Sequence, residues 1–311
     1  MQLGYLTQTF ASLHRAASAS DCPLVVKLFL CNVDSEPHNF REVRNLTGRV
    51  EIFTKYASKT IKYNGNLFEK QKRDYVDCLK YSQQNWRSSY VILFEDDVIV
   101  RASFFHELFV LLQTKLVWQL ERRNLERQDL AFVKLAYPSQ WRGFSVSSNL
   151  LELAGVALLS CSFFYLLLTY CCQVQLSQRS SRDSSSRSVI YFATVASTLY
   201  VVCLCFVIGR PYIVQIFTHS PHLMKLEFGA PGCCLLAMVY PSNVLPRLID
   251  YLDSITCHID FAVDSAMDDF ERIFDLFSFR VDPNLGTHIG LVSGLGRHSK
   301  TAARFIDVNL L

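Results

Sequence analysis

The sequence predicts an α/β domain interrupted by a two-helix transmembrane hairpin, and three observations carry that prediction. Apolar runs of strand length alternate with segments of helical period, the pattern of an α/β sheet. One such run, Tyr90-Val91-Ile92-Leu93-Phe94, passes directly into Glu95-Asp96-Asp97. Two stretches in the middle of the chain are apolar over the ~20 residues that a bilayer-spanning helix needs.

Leu3, Leu6, Phe10 and Leu13 fall on one helical face. Leu24 to Cys31 reads as a strand, and Val50 to Phe53 as a shorter one. Phe68 to Tyr81 is helical, with Phe68, Tyr75, Cys78 and Leu79 apolar. Tyr90 to Phe94 is the strand with the acidic end, Phe104 to Leu120 a helix and Leu130 to Leu135 a strand. Beyond the apolar stretches, Cys233 to Tyr240 reads as a buried strand. Pro241-Ser242-Asn243 opens a helix running through Tyr251, and Asp260 to Phe274 is an acidic helix carrying Asp264, Asp268, Asp269 and Glu271. The tail from Val281 to Gly290, punctuated by Pro283, Gly286 and Gly290 and bearing His288, reads as a ligand-facing loop; a plain surface histidine is the blander reading.

The two apolar stretches run from Leu150 to Cys172 and from Val189 to Gly209, and Glu152 is their sole ionisable residue. The segment between them, Gln173 to Ser188, carries Arg179, Arg182 and Arg187 against Asp183. Its positive excess predicts a cytosolic loop, with both flanks on the opposite, lumenal side. Residues 1–149 and 210–311 are then two parts of one lumenal domain, with 150–209 inserted as the hairpin and 173–188 as its loop. Asn45-Leu46-Thr47 is a glycosylation sequon on the lumenal side of this topology.

A net charge of +3, with no Lys/Arg-rich block, gives no electrostatic case for a nucleic-acid partner. Of eleven cysteines, Cys22, Cys31, Cys78, Cys233, Cys234 and Cys257 lie in the flanks, an even number that suits an oxidising lumen. No CxxC pair or zinc-type spacing occurs. The acid triplet is the chemical feature. Adjacent carboxylates resist desolvation, ligands in open α/β sheets bind beyond the carboxyl ends of strands, and a hard divalent cation takes oxygen ligands together with phosphate. A metal-diphosphate site is one reading of Glu95-Asp96-Asp97, and an exposed acidic turn is the other.

Several separate stretches resemble one family, the Golgi glycosyltransferases that add an N-acetylgalactosamine (GalNAc) branch to glycosylphosphatidylinositol (GPI) anchors. They are Leu28-Phe29-Leu30-Cys31-Asn32-Val33, Phe68-Glu69-Lys70 through Asp74-Tyr75-Val76 with Cys78-Leu79, Tyr90-Val91 with Glu95-Asp96-Asp97, Cys233-Cys234, Cys257-His258, and Pro283-Asn284-Leu285 with His288-Ile289-Gly290. The ending is also similar to that of the N-glycan branching N-acetylglucosaminyltransferases, and the inserted hairpin separates the two families. An N-acetylglucosaminyltransferase, or a catalytically inactive membrane glycan-binding protein, is the competing reading. The family begins with a membrane anchor and a first strand, whereas this chain starts at a helix resembling the one after that strand. The expectation is an N-terminally incomplete sequence or a divergent isoform.

The resemblance implies an A-type glycosyltransferase (GT-A, Rossmann-like) fold and transfer of GalNAc from UDP-GalNAc to a mannose of the GPI core, with inversion. The protein is implied to be a multi-pass Golgi membrane protein whose acceptors are GPI-anchored proteins or GPI lipid. It further implies a divalent metal, Mn2+ or Mg2+, on Asp97 and His288, with Glu95 and Asp96 touching metal or donor sugar. Asp264 is implied as the base that accepts the mannose proton, Asp268 and Asp269 being weaker choices, with Asp96 as the other catalytic candidate. Lys72 and Asp74 are implied to reach the nucleotide. A Cys31–Cys78 disulfide is implied, and a second bridge from Cys257 to Cys233 or Cys234.

Overall fold

The computed structural model describes residues 4–19, 23–37, 40–56, 66–137, 147–176, 185–209, 213, 224–229 and 234–290. The chain divides into two compact units, residues 1–138 with 220–311, and residues 139–219.

In the first unit, helix α1 (Tyr5–Ala17) starts at Gly4, whose φ of +73° is a conformation glycine adopts without strain. Leu6, Leu13 and Ala16 form its buried stripe. Strand β1 (Phe29–Asn32) and strand β2 (Glu51–Thr54) pair in parallel around the short helix α2 (Arg41–Leu46). The strand expected over Leu24 to Cys31 is thus only four residues long, starting five residues later and ending one later. Leu24, Val26 and Leu28 pack against the core without joining a ladder. Helix α3 (Leu67–Asn85) is capped by Asn66, whose side chain accepts the Phe68 N–H at 3.0 Å. A disulfide from Cys31 on β1 to Cys78 on α3 joins these elements.

Strand β3 (Tyr90–Phe94) is followed by β4 (Val98–Val100), and helix α4 (Phe104–Val110) runs through a π-helical turn, Leu111–Lys115, into α5 (Leu116–Arg123). One continuous amphipathic period therefore covers three stacked segments. Strand β5 (Leu130–Ala136) lies at the middle of the main sheet, buried along its whole length. Its near-continuous apolar run reflects neighbours on both edges and core on both faces.

Past the second unit come β6 (Lys225–Phe228), β7 (Ala237–Pro241), and the helices written here, after the two of that unit, as α8 (Leu245–Ser254) and α9 (Val263–Ile273). Strands β8 (Phe277–Asp282) and β9 (Gly286–His288) follow. The expected strand from Cys233 begins only at Ala237, because Cys234 has a φ of +66° and cannot sit in a ladder. The expected tail loop is also corrected. Val281 and Asp282 end β8, and Gly286–His288 pairs antiparallel with β4.

The main sheet has the order β3-β7-β5-β8-β6, with β5 and β8 parallel and the other neighbours antiparallel. Val133, Leu135 and Phe279 face Leu108 and Leu116 of α4–α5 on one side. Phe132, Met238 and Tyr240 meet Leu248 of α8 and Phe270 of α9 on the other. Phe94 and Ala136 both pair with Ala237, so the carboxyl ends of β3 and β5 meet the start of β7 at one end of the sheet.

The second unit holds helices α6 (Ser147–Leu176) and α7 (Ser185–Ile208), which pack on each other. Leu150–Gln173 and Ser188–Ile208 are long and apolar enough to cross a membrane. Leu151, Leu159, Phe192 and Val207 are each over 70% exposed, which sets these helices apart from the buried helices of a soluble core.

Candidate metal and transfer site

The acid triplet sits where β3 ends. The Glu95 N–H donates to the Leu236 carbonyl at 2.9 Å, so the first acid extends the β3–β7 ladder by one bond. The chain then turns through Asp96 and Asp97 into β4. Helix α1 braces this turn from beneath. Thr9 Oγ1 donates to the Asp96 carbonyl at 2.8 Å, and Ser12 Oγ accepts the Val100 N–H at 3.1 Å.

The β4–β9 pairing places Val98 opposite His288, and the Ile289 N–H donates to the Asp97 carbonyl at 2.8 Å. His288 Nε2 then lies 2.9 Å from Asp97 Oδ2. One ligand atom from each of Glu95, Asp97 and His288 falls within 4.8 Å of the others, a spread that a single cation can bridge. Asp97 Oδ1 is buried with no hydrogen-bond partner among the described residues. A Cβ on the buried Gly290 would stand 1.8 Å from Asp97 Oδ2 and 2.9 Å from His288 Nε2. The chain therefore keeps this space clear of side chain. An orphaned oxygen, a mixed carboxylate–imidazole donor set and a cleared cradle fit a divalent cation. Loss of hydration and then the adjacent Asp97 carboxylate hold the Asp96 carboxyl above its ordinary range, even though the residue keeps an exposed surface.

Asp264 reaches the same end of the sheet. It stands in the first turn of α9, where its Oδ2 accepts the Cys234 N–H at 3.3 Å and its Oδ1 the Ser265 N–H at 2.9 Å. Asp264 and Glu95 are thus tied to Cys234 and Leu236, two residues apart on the run into β7. Asp269 instead bonds Tyr251 Oη at 2.7 Å and pairs with Arg272 on the outer side of the helix.

Lys72 and Asp74 are not brought to the acidic group. The Lys72 ammonium is 3% exposed and donates to the Ile255 carbonyl at 2.6 Å while pairing with Glu69. Asp74 is paired with Lys55 and Lys70. These ion pairs and the Ile255 bond tie α3 to its neighbours. The expected second bridge is corrected too: Cys257 is a free, buried thiol, its pKa pushed up to about 11 chiefly by burial. Cys234 is disulfide-bonded.

An open cavity of about 550 Å³ lies at the N-terminal end of α1, lined by Gly4, Thr7, Gln8, Arg41, Glu42 and Asn45. Glu42 Oε2 accepts the Thr7 N–H at 2.9 Å and its hydroxyl at 3.0 Å.

The model of one protein family, GPI-N-acetylgalactosamine transferase PGAP4, matches residues 1–287. The chain belongs to this family. The GPI-GalNAc transferase described here is accordingly an enzyme, a glycosyltransferase that acts on GPI anchors. No solved structure matches it significantly.

One residue of this transferase escapes a reading by pattern. Lys134 lies in the central strand and is 1% exposed. Its signal was a lone cation within the apolar run Leu130–Ala136.

Proposed function

We propose that the transferase moves GalNAc from UDP-GalNAc to a mannose hydroxyl of the GPI core, with inversion at the sugar carbon, in a GT-A domain. The convergence of Glu95, Asp97 and His288 beyond the end of β3 carries this reading. Glu95, Asp97 and His288 would hold a divalent cation, Mn2+ or Mg2+, which when bound would supply positive charge against the leaving diphosphate. Asp264 accepts the proton of the attacking mannose hydroxyl. The two backbone N–H groups that it accepts orient its carboxylate, and its tie to the run into β7 puts it on the same strand lead-in as Glu95. Asp96 faces the donor sugar. The cavity beside α1 has the volume of a nucleotide pocket, and Thr9, on the same helix, bonds the acidic turn.

In this reading the enzyme is a Golgi membrane protein with its catalytic unit in the lumen and residues 173–188 in the cytosol; the two long apolar helices and the positive excess between them support it. Its acceptor is a lipid-linked glycan. A chain that passes through the bilayer between the two parts of its catalytic unit shares that surface with the acceptor, which raises the effective acceptor concentration. The test is transfer onto a GPI glycan by the purified chain with UDP-GalNAc, before and after chelation and metal readdition, with the anomeric configuration of the product determined. Chelator-insensitive transfer, or retention of configuration, would overturn the reading.

A further inference from the structure

Lysine is rarely buried without a dedicated partner, because removing its charge from water costs several kcal/mol. Lys134 is buried in the C-terminal half of the central strand, where it pairs in register with Met238 of β7 and Arg280 of β8. It projects among charged groups from two directions. Asp264, Asp268 and Glu271 occur on α9 at i, i+4 and i+7, one helical face, and all three act on the Lys134 ammonium, with Arg280 opposing them from β8. The Phe132 and Tyr137 rings lie 5.8 and 5.6 Å from its nitrogen. Burial lowers the Lys134 pKa and also raises that of Glu271, so neither charge is comfortable without the other. Asp268 belongs to this inward face, unlike its neighbour Asp269.

We propose that Lys134 is a positioning residue of the transfer reaction, a buried cation set against the acidic Asp264–Asp268–Glu271 face of α9 that holds Asp264 at the active end of the sheet. The proposal rests on the reading of Asp264 as the proton acceptor. Lys134 touches neither donor nor acceptor; it sets the electrostatic environment of the group that does.

The experiment compares Lys134→Met, Lys134→Arg and Asp264→Asn in the full-length membrane enzyme, with UDP-GalNAc and a GPI glycan. Lys134→Met is expected to lower kcat at least about tenfold, with KM for UDP-GalNAc unchanged. Its acidic pH limb should move upward, since a cation beside the carboxylate is lost, and Lys134→Arg should recover most of the rate. A folded Lys134→Met with unchanged kcat and pH profile overturns the proposal. Where Lys134→Met does not fold, the double variant with Asp268→Asn removes one of the carboxylate charges facing the site of the lost cation. Measured against Asp268→Asn alone, it should show the same drop and shift, and equality overturns the proposal. Full activity in Asp264→Asn would instead overturn the base assignment, while loss there beside a normal Lys134→Met overturns the role of Lys134 alone.

Discussion

His288 Nε2 and Asp97 Oδ2 stand 2.9 Å apart although 191 residues separate them in sequence. The link is made by three-residue strands on either side, so the geometry of the site depends on the β4–β9 pairing. Helix α1 supports that pairing from below, and Gly290 leaves the space above Asp97 open.

Gly290→Ala should therefore damage the site more than the fold. The new methyl would overlap Asp97 Oδ2, and relief requires moving the carboxylate or the β9 end. Overpacking of this kind costs about 1–3 kcal/mol, whereas displacement of a ligand should lower metal-dependent transfer by about a hundredfold or more. Transfer rate and thermal unfolding, measured on the same preparation, check this.

Ser12→Ala removes the hydroxyl that accepts the buried Val100 N–H and leaves that donor unsatisfied. A loss of about 1–3 kcal/mol is expected, read as a lower unfolding midpoint. Ser12→Thr, which retains the acceptor, should lose less.

The β1–α3 junction carries the disulfide between Cys31 and Cys78. Replacing both by Ala should cost about 2–4 kcal/mol by freeing the unfolded chain. Mild reduction should lower the midpoint of the wild type by more than that of the double variant, which keeps the Cys234 disulfide.

Glu69 gives a pH signature. Burial pushes its carboxyl upward, but the Cys257 N–H, Arg73 and Lys72 outweigh burial and hold it below its ordinary 4.5. A carboxyl depressed in the folded state stabilises the protein above the unfolded pKa and loses that contribution as pH falls through the folded value. The wild type should lose stability as pH falls below about 4.5, and Glu69→Gln should show a shallower fall over that window.

How far the sequence foretold this arrangement varies by element. The Tyr90–Phe94 strand and its acidic end were legible because burial and charge change abruptly at one residue. The two long apolar helices were legible because their runs reach the ~20 residues that a bilayer-spanning helix needs. Strand β9 was not, since three residues between Pro283 and Gly290 carry no period, and their pairing depends on a partner far away in the chain. The surroundings of Lys72 and Asp74 were hidden for a related reason. Charged residues on an amphipathic helix look available in sequence, and only the fold shows Ile255 and Glu69 around one, Lys55 and Lys70 around the other. Asp264 was reachable only through family likeness, because its tie to Cys234 spans 30 residues.

The central claim is that Asp97 belongs to the chemistry and not to the fold. Asp97→Ala, assayed for metal-dependent GalNAc transfer onto GPI and for thermal unfolding together, tests it most directly. Removing one carboxylate from the Glu95–Asp97–His288 group should weaken cation binding and slow transfer by about a thousandfold or more. The unfolding midpoint should stay near that of the wild type or rise, because a crowded acid leaves the end of the strand. Near-normal transfer with a clearly lowered midpoint would contradict the account.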